Sequence, residues 1–102
     1  MRVLIAGCGD LGARVAALHA ARGDAVWGLR RGAVTVPGVT PLRGALADLR
    51  AAALAPALDR VYMLAAPGAD PAGYAAVYDV GLAALLHALA GQPAARVILA
   101  TS

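Results

Sequence analysis

The chain alternates short apolar runs with polar, glycine-bearing breaks. Arg2 to Ala6 (RVLIA) is a continuous aliphatic run, and Gly7-Cys8-Gly9-Asp10-Leu11-Gly12 ends it. This pattern predicts a buried strand followed by a sharp turn. From Asp10 to Arg22, Leu11, Val15 and Leu18 recur at steps of four and three, which predicts a helix with one apolar face. Gly23-Asp24 stops it, and Ala25 to Leu29 reads as a second strand. Arg30 to Gly38 has no helical period and reads as a loop. Val39 to Arg43 is a short third strand carrying Pro41. Leu46 to Leu58 is Ala-rich and reads as a helix that Pro56 disturbs. Arg60 to Ala66 is a fourth buried strand, closed by Pro67-Gly68. Pro71 to Leu89 predicts a long helix with Val77, Leu82, Leu85, Leu86 and Leu89 on one stripe, ended by Gly91 and Pro93. Arg96 to Ala100 is a fifth strand.

Strands alternating with helices at this spacing predict βαβ units and a parallel sheet. The continuous apolar strands agree, because parallel strands are covered on both faces. The expected fold class is α/β, a Rossmann-type doubly wound parallel sheet of five strands in the order 3-2-1-4-5, with 102 residues forming one domain at most. Right-handed crossovers place the first helix on one face and the two later helices on the other. Nothing in the sequence then covers the first face over strands four and five. Alternate residues of Tyr62–Ala66 and Val97–Ala100 are expected to form an apolar patch there, through which the chain could self-associate.

Composition narrows the chemistry. Hydrophobic residues make up 61% and charged residues 15% of the chain, which argues against disorder. All nine basic residues are Arg and all six acids are Asp, and roughly a quarter of the chain is Ala. The absence of Lys removes Schiff-base chemistry and a Walker-type phosphate grip. A single Cys excludes an internal disulfide and a Cys-based zinc site. No metal site is expected. The net charge of +3 comes from Arg residues scattered singly apart from Arg30-Arg31, with no basic run interleaved with aromatics, so no nucleic-acid partner is expected. No apolar run approaches the roughly 18–20 residues of a membrane span. The N-terminal apolar run is broken too early by Gly7, Gly9, Asp10 and Arg14 for a signal peptide. A soluble cytoplasmic chain is expected.

Gly7, Gly9 and Gly12 form G-x-G-x-x-G directly after a predicted strand and at the start of a helix, the context that gives this motif meaning. Gly7 allows the tight turn, Gly9 lets the backbone approach a pyrophosphate, and Gly12 lets the helix pack on the strand. Amides of the first helical turn then point at the phosphates. Asp10 is expected to cap the helix, and Cys8 to be a small buried filler. An acid about 20 residues after the glycines would select NAD. This chain has Leu29, Arg30 and Arg31 instead. Two guanidiniums suit a 2′-phosphate, so NADP is favoured over NAD. The missing acid also counts against a flavin.

Further segments complete a pattern: Val26 to Arg31, Val61 to Pro67, Tyr78-Asp79-Val80-Gly81-Leu82, and Arg96 to Ser102. In order along the chain, these resemble the NAD-dependent epimerase/dehydratase family, the extended and atypical short-chain dehydrogenases/reductases. The resemblance implies that Gly7, Gly9, Asp10, Leu11 and Gly12 lie at the diphosphate and Arg30 and Arg31 at the adenosine ribose. Leu64, Ala65, Ala66 and Pro67 would line the inner ribose and nicotinamide side. Thr101-Ser102 look like the start of the segment that carries the family's catalytic Ser or Thr. Gly44-Ala45-Leu46 replaces the family's Gly-Asp-Leu, removing an adenine contact, and Asp79 stands where Asn is common.

The family's catalytic Tyr-x-x-x-Lys pair is absent, since the chain has no Lys. No catalytic residue is assigned, and Tyr62, Tyr74 and Tyr78 are read as packing. The expectation is therefore the N-terminal, cofactor-binding portion of a larger NADP-dependent oxidoreductase, epimerase or dehydratase acting on a small molecule, inactive alone. A non-catalytic NADP-sensing module is the alternative. His19 and His87 are read as surface or boundary residues, Trp27 as strand packing, and Asp70-Pro71 as the entry to the long helix.

Overall fold

A computed structural model describes residues 1–33, 35–64 and 76–99. β1 (Arg2–Ala6) and β3 (Val39–Arg43) have the bounds that the apolar runs predict. β2 (Ala25–Arg30) gains one residue. β4 (Arg60–Met63) stops before Leu64, short of its expected end, and β5 (Arg96–Leu99) follows the expected run as far as the described residues reach. All pairings are parallel and the order is β3-β2-β1-β4-β5, as the alternating pattern predicts. Val3, Leu4, Ile5 and Ala6 in the central strand are at most 1% exposed, which is why that run needs no polar alternation.

Helix α1 (Asp10–Ala21) lies on one face, over Val3, Ile5, Cys8 and Val26. It buries Gly12, Ala16 and His19, not the expected stripe. Leu11 and Leu18 are 56% and 68% exposed. Gly12 decides this orientation. A Cβ there would overlap the Gly7 carbonyl oxygen and lie 3.1 Å from Ile5 Cγ2. The helix therefore rests on β1 through its small residues, and the larger aliphatics turn outward.

The opposite face holds Leu4, Ala6, Leu29, Val61 and Met63, covered by Leu49, Leu54, Leu58, Leu85 and Leu89. The predicted helix over 46–58 is absent. Two 3₁₀ turns, Leu46–Asp48 and Ala51–Ala53, replace it. Both start from uncapped, extended residues, Ala45 and Arg50. Ala57, next to Pro56, has a φ of 57°. Helix propensity alone does not hold so short a segment, and packing its leucines on the sheet prevails.

Of the predicted helix over 71–89, residues 71–75 lie outside the described residues. The rest is a π-helical turn, Ala76–Gly81, followed by helix α2 (Leu82–Ala88). Past it, Gln92 Nε2 donates to the Ala55 carbonyl at 2.9 Å, and its Oε1 accepts from the Leu58 amide at 2.7 Å. This side chain ties the connection before β4 to the end of the helix.

On the α1 side of β4 and β5, Tyr62, Leu64 and Ile98 are half-buried. The most exposed large apolar residue described on these strands is Leu99, 49% exposed. It pairs with Met63 in the α2-side core and so belongs to the other face. Ala66 and Ala100, also named for the patch, lie outside the described residues. No helix among the described residues is long and apolar enough to cross a membrane.

Candidate functional site

The site is built where the strand order reverses. β1 continues to β2 on one side and pairs β4 on the other. In open α/β sheets, the crevice at the carboxyl ends of such strands is where ligands bind. The chain leaves β1 there through Gly7, whose φ of 102° suits glycine alone. The Gly7 and Cys8 amides both donate to the Leu29 carbonyl, at 3.1 and 2.8 Å, so the end of β2 anchors the turn.

Gly9 is the N-cap of α1, and no side chain caps the helix. This corrects the expected role of Asp10. It sits one residue inside the helix, exposed, and its carboxylate accepts no capping hydrogen bond. The Asp10, Leu11 and Gly12 amides belong to the first turn, which has no intrahelical acceptors. A Cβ on Gly9 would meet nothing within 4 Å. The approach to the helix start is thus open.

Cys8 is 3% exposed and fills the α1-side core, as expected. Burial pushes its thiol pKa up, and the Arg30 guanidinium opposes that rise. The thiol is therefore a packing group and not an activated nucleophile. Arg30 is the last residue of β2 and Arg31 follows it, both exposed. Leu64 follows β4, and its amide donates to the Ala6 carbonyl at 2.8 Å, so it stands beside the end of β1. Ala65, Ala66 and Pro67 lie outside the described residues, as do Asp70, Thr101 and Ser102. No group of three or more metal-ligating side chains occurs among the described residues.

His19 departs from its expected surface or boundary position. It is 5% exposed and is the buried polar residue of the described core. Its Nδ1 lies 2.8 Å from Asp24 Oδ2 and its Nε2 lies 2.9 Å from the Tyr62 hydroxyl. Arg60 donates to the same hydroxyl at 3.1 Å. Asp24 also takes the N-terminal ammonium at 2.9 Å. The hydrogen bond from His19, followed by that from the ammonium, lowers the Asp24 pKa to about 2. Asp24, five residues on across a glycine turn, was the local signal. Tyr62 came from a distant strand and left none. Since α1 starts at the candidate site and ends here, this network holds its far end to β4.

The likenesses to known structures agree with this fold. WbmH of Bordetella bronchiseptica, solved in complex with NAD+, matches at 27% identity and a TM-score of 0.74, over 94% of this chain and 37% of that one. A Methylobacillus flagellatus protein assigned to the NAD-dependent epimerases/dehydratases matches at 33% identity and a TM-score of 0.69, over 99% of this chain and 37% of that one. The chain has a Rossmann-type fold. A Streptococcus pneumoniae protein assigned as an NADH-flavin reductase supports the fold alone, with 19% identity and a TM-score of 0.76 over 97% of this chain and 46% of that one. The chain spans less than half the length of each of these structures. No family model and no curated protein sequence matches it.

Proposed function

We propose that this chain binds a nicotinamide dinucleotide, with NADP favoured, as the cofactor-binding portion of an epimerase, dehydratase or reductase of short-chain dehydrogenase type. The observation that carries the reading is the open start of α1. It has a glycine N-cap, no capping side chain and clear space over Gly9. It stands at the point where the sheet order reverses. A pyrophosphate suits such a site, because it accepts from free amides and gains from the helix dipole. In this reading Gly7, Gly9, Asp10, Leu11 and Gly12 hold the diphosphate through backbone atoms, with the exposed Asp10 carboxylate turned away from it.

Arg30 and Arg31 supply the preference. Guanidinium groups present forked donors to phosphate oxygens, and Arg30 ends the strand whose Leu29 carbonyl anchors the turn. Leu64, with Ala65, Ala66 and Pro67 after it, lines the inner ribose and nicotinamide side. The dinucleotide, when bound, supplies hydride transfer. The chain's own part is to bind and orient it, because without Lys it cannot form the Tyr-x-x-x-Lys pair. The substrate is a small molecule of the whole enzyme. The likeness to WbmH, solved with NAD+, and to an epimerase/dehydratase supports an enzyme over a sensor.

The test is the ratio of NADPH to NADH dissociation constants, with Arg30→Ala and Arg31→Ala as controls. Tighter NADPH binding that these variants weaken is expected. Tighter NADH binding that neither variant changes refutes the NADP assignment.

A further inference from the structure

The register of β2 and β3 sets a third arginine beside the candidate site. Arg43 ends β3 and pairs directly with Arg30 at the end of β2. Two residues back, Gly28 pairs with Pro41, and before that Val26 pairs with Val39. Val26 and Val39 both pack in the α1-side core. Side chains at steps of two share a sheet face. Arg30 and Arg43 therefore leave the sheet on the α1 side, where the glycine turn lies. Neighbouring strands are about 4.8 Å apart, so the two arginine side chains leave the sheet from adjacent positions.

Like charges placed opposite each other on paired strands are destabilising. Among the described residues, every ion pair converges on Asp24, and neither arginine has a carboxylate partner. Both are exposed. The Gly44 amide donates to the Arg30 carbonyl at 3.0 Å, so the two strand ends are held together at this point. An arrangement that gathers positive charge without neutralising it suits an anion shared between the two side chains.

We infer that Arg43 is a specificity-determining residue, the partner of Arg30 in a subsite for a phosphomonoester on the adenosine ribose. This rests on the dinucleotide reading above and extends it. The phosphate is gripped from the ends of two strands and not from β2 and its loop alone. In this role Arg43 serves the 2′-phosphate alone, so its contribution should vanish when that phosphate is absent.

The test titrates the 102-residue chain and its Arg43→Ala variant with NADPH and with NADH, with a thermal melt to show that both fold alike. A charge-assisted contact of ordinary strength corresponds to about tenfold in affinity. The expected result is about a tenfold loss of NADPH affinity in the variant and unchanged NADH affinity. Unchanged NADPH affinity in a chain that still prefers NADPH overturns the role of Arg43 and leaves the dinucleotide reading standing. Equal loss for both cofactors overturns it too, since the effect then has nothing to do with the 2′-phosphate. A chain that binds neither cofactor overturns the dinucleotide reading and this inference together.

Discussion

Replacing Gly12 with alanine tests how α1 is seated on β1. The added Cβ overlaps the Gly7 carbonyl oxygen and lies 3.2 Å from its carbon and 3.1 Å from Ile5 Cγ2. Two of these three neighbours are backbone atoms in a turn fixed by the Leu29 carbonyl, so they cannot rotate away. The helix has to lift off the strand. Overpacking of this kind costs about 1–3 kcal/mol or more. Removing a glycine from a helix returns up to about 1 kcal/mol. With a backbone clash at the upper end of that range, the net loss is about 2 kcal/mol. For a domain of this size, that lowers the melting temperature by about 8–16 °C. Gly9→Ala is the control, because its Cβ enters open space, and it should stay within about 1 kcal/mol of wild type. Thermal and urea unfolding followed by circular dichroism reads both variants. A Gly12→Ala chain as stable as wild type refutes the close seating of α1.

Three further outcomes follow from the network at the other end of α1 and from the turn before β4. His19→Ala removes hydrogen bonds to Asp24 and Tyr62 and should cost about 2 kcal/mol; a double-mutant cycle with Tyr62→Phe should show coupling of about 0.5 kcal/mol or more, and strict additivity contradicts the contact. Asp24 has its pKa lowered from 3.8 to about 2 in the folded chain, so its contribution is present above the unfolded value and is lost as pH falls through the folded one. Stability by urea unfolding should therefore drop between those two values, and Asp24→Asn should flatten that drop. Ala57, at a φ of 57°, occupies backbone space that suits glycine, and Ala57→Gly should be neutral to stabilising by about 1 kcal/mol. A clear loss of stability shows that the left-handed turn is not strained.

The strands and their order were legible because burial on both faces leaves uninterrupted aliphatic runs, and because short connections with fixed handedness admit few topologies. Helix orientation was harder. The spacing of Leu11, Val15 and Leu18 points one face of α1 inward, while the glycine motif demands that Gly12 face the strand. Both cannot hold, since adjacent residues on a helix differ by about 100°. The close approach prevails, because a strand-to-helix contact through Gly12 and Ala16 leaves no room for leucine. The segment over 46–58 departs from its helical spacing for another reason. Its alanines favour a helix wherever they are free, but Leu49, Leu54 and Leu58 are each held in the core, and Ala57 turns the chain back toward β4. At the site, the glycine turn and Arg30 were readable from local spacing. Arg43 became visible only through the β2–β3 register, and the His19–Tyr62 contact through the stacking of α1 on the sheet. Neither depends on residues close in sequence.

The open start of α1 should receive a dinucleotide phosphate. The most direct measurement is a fluorescence titration of the chain with NADPH, repeated with Gly9→Val. Saturable binding is predicted for the wild-type chain, with loss of binding in a variant that melts like wild type, because the valine side chain fills the space the phosphate needs. Absence of saturable binding at millimolar NADPH, or undiminished binding by a folded Gly9→Val chain, contradicts the account.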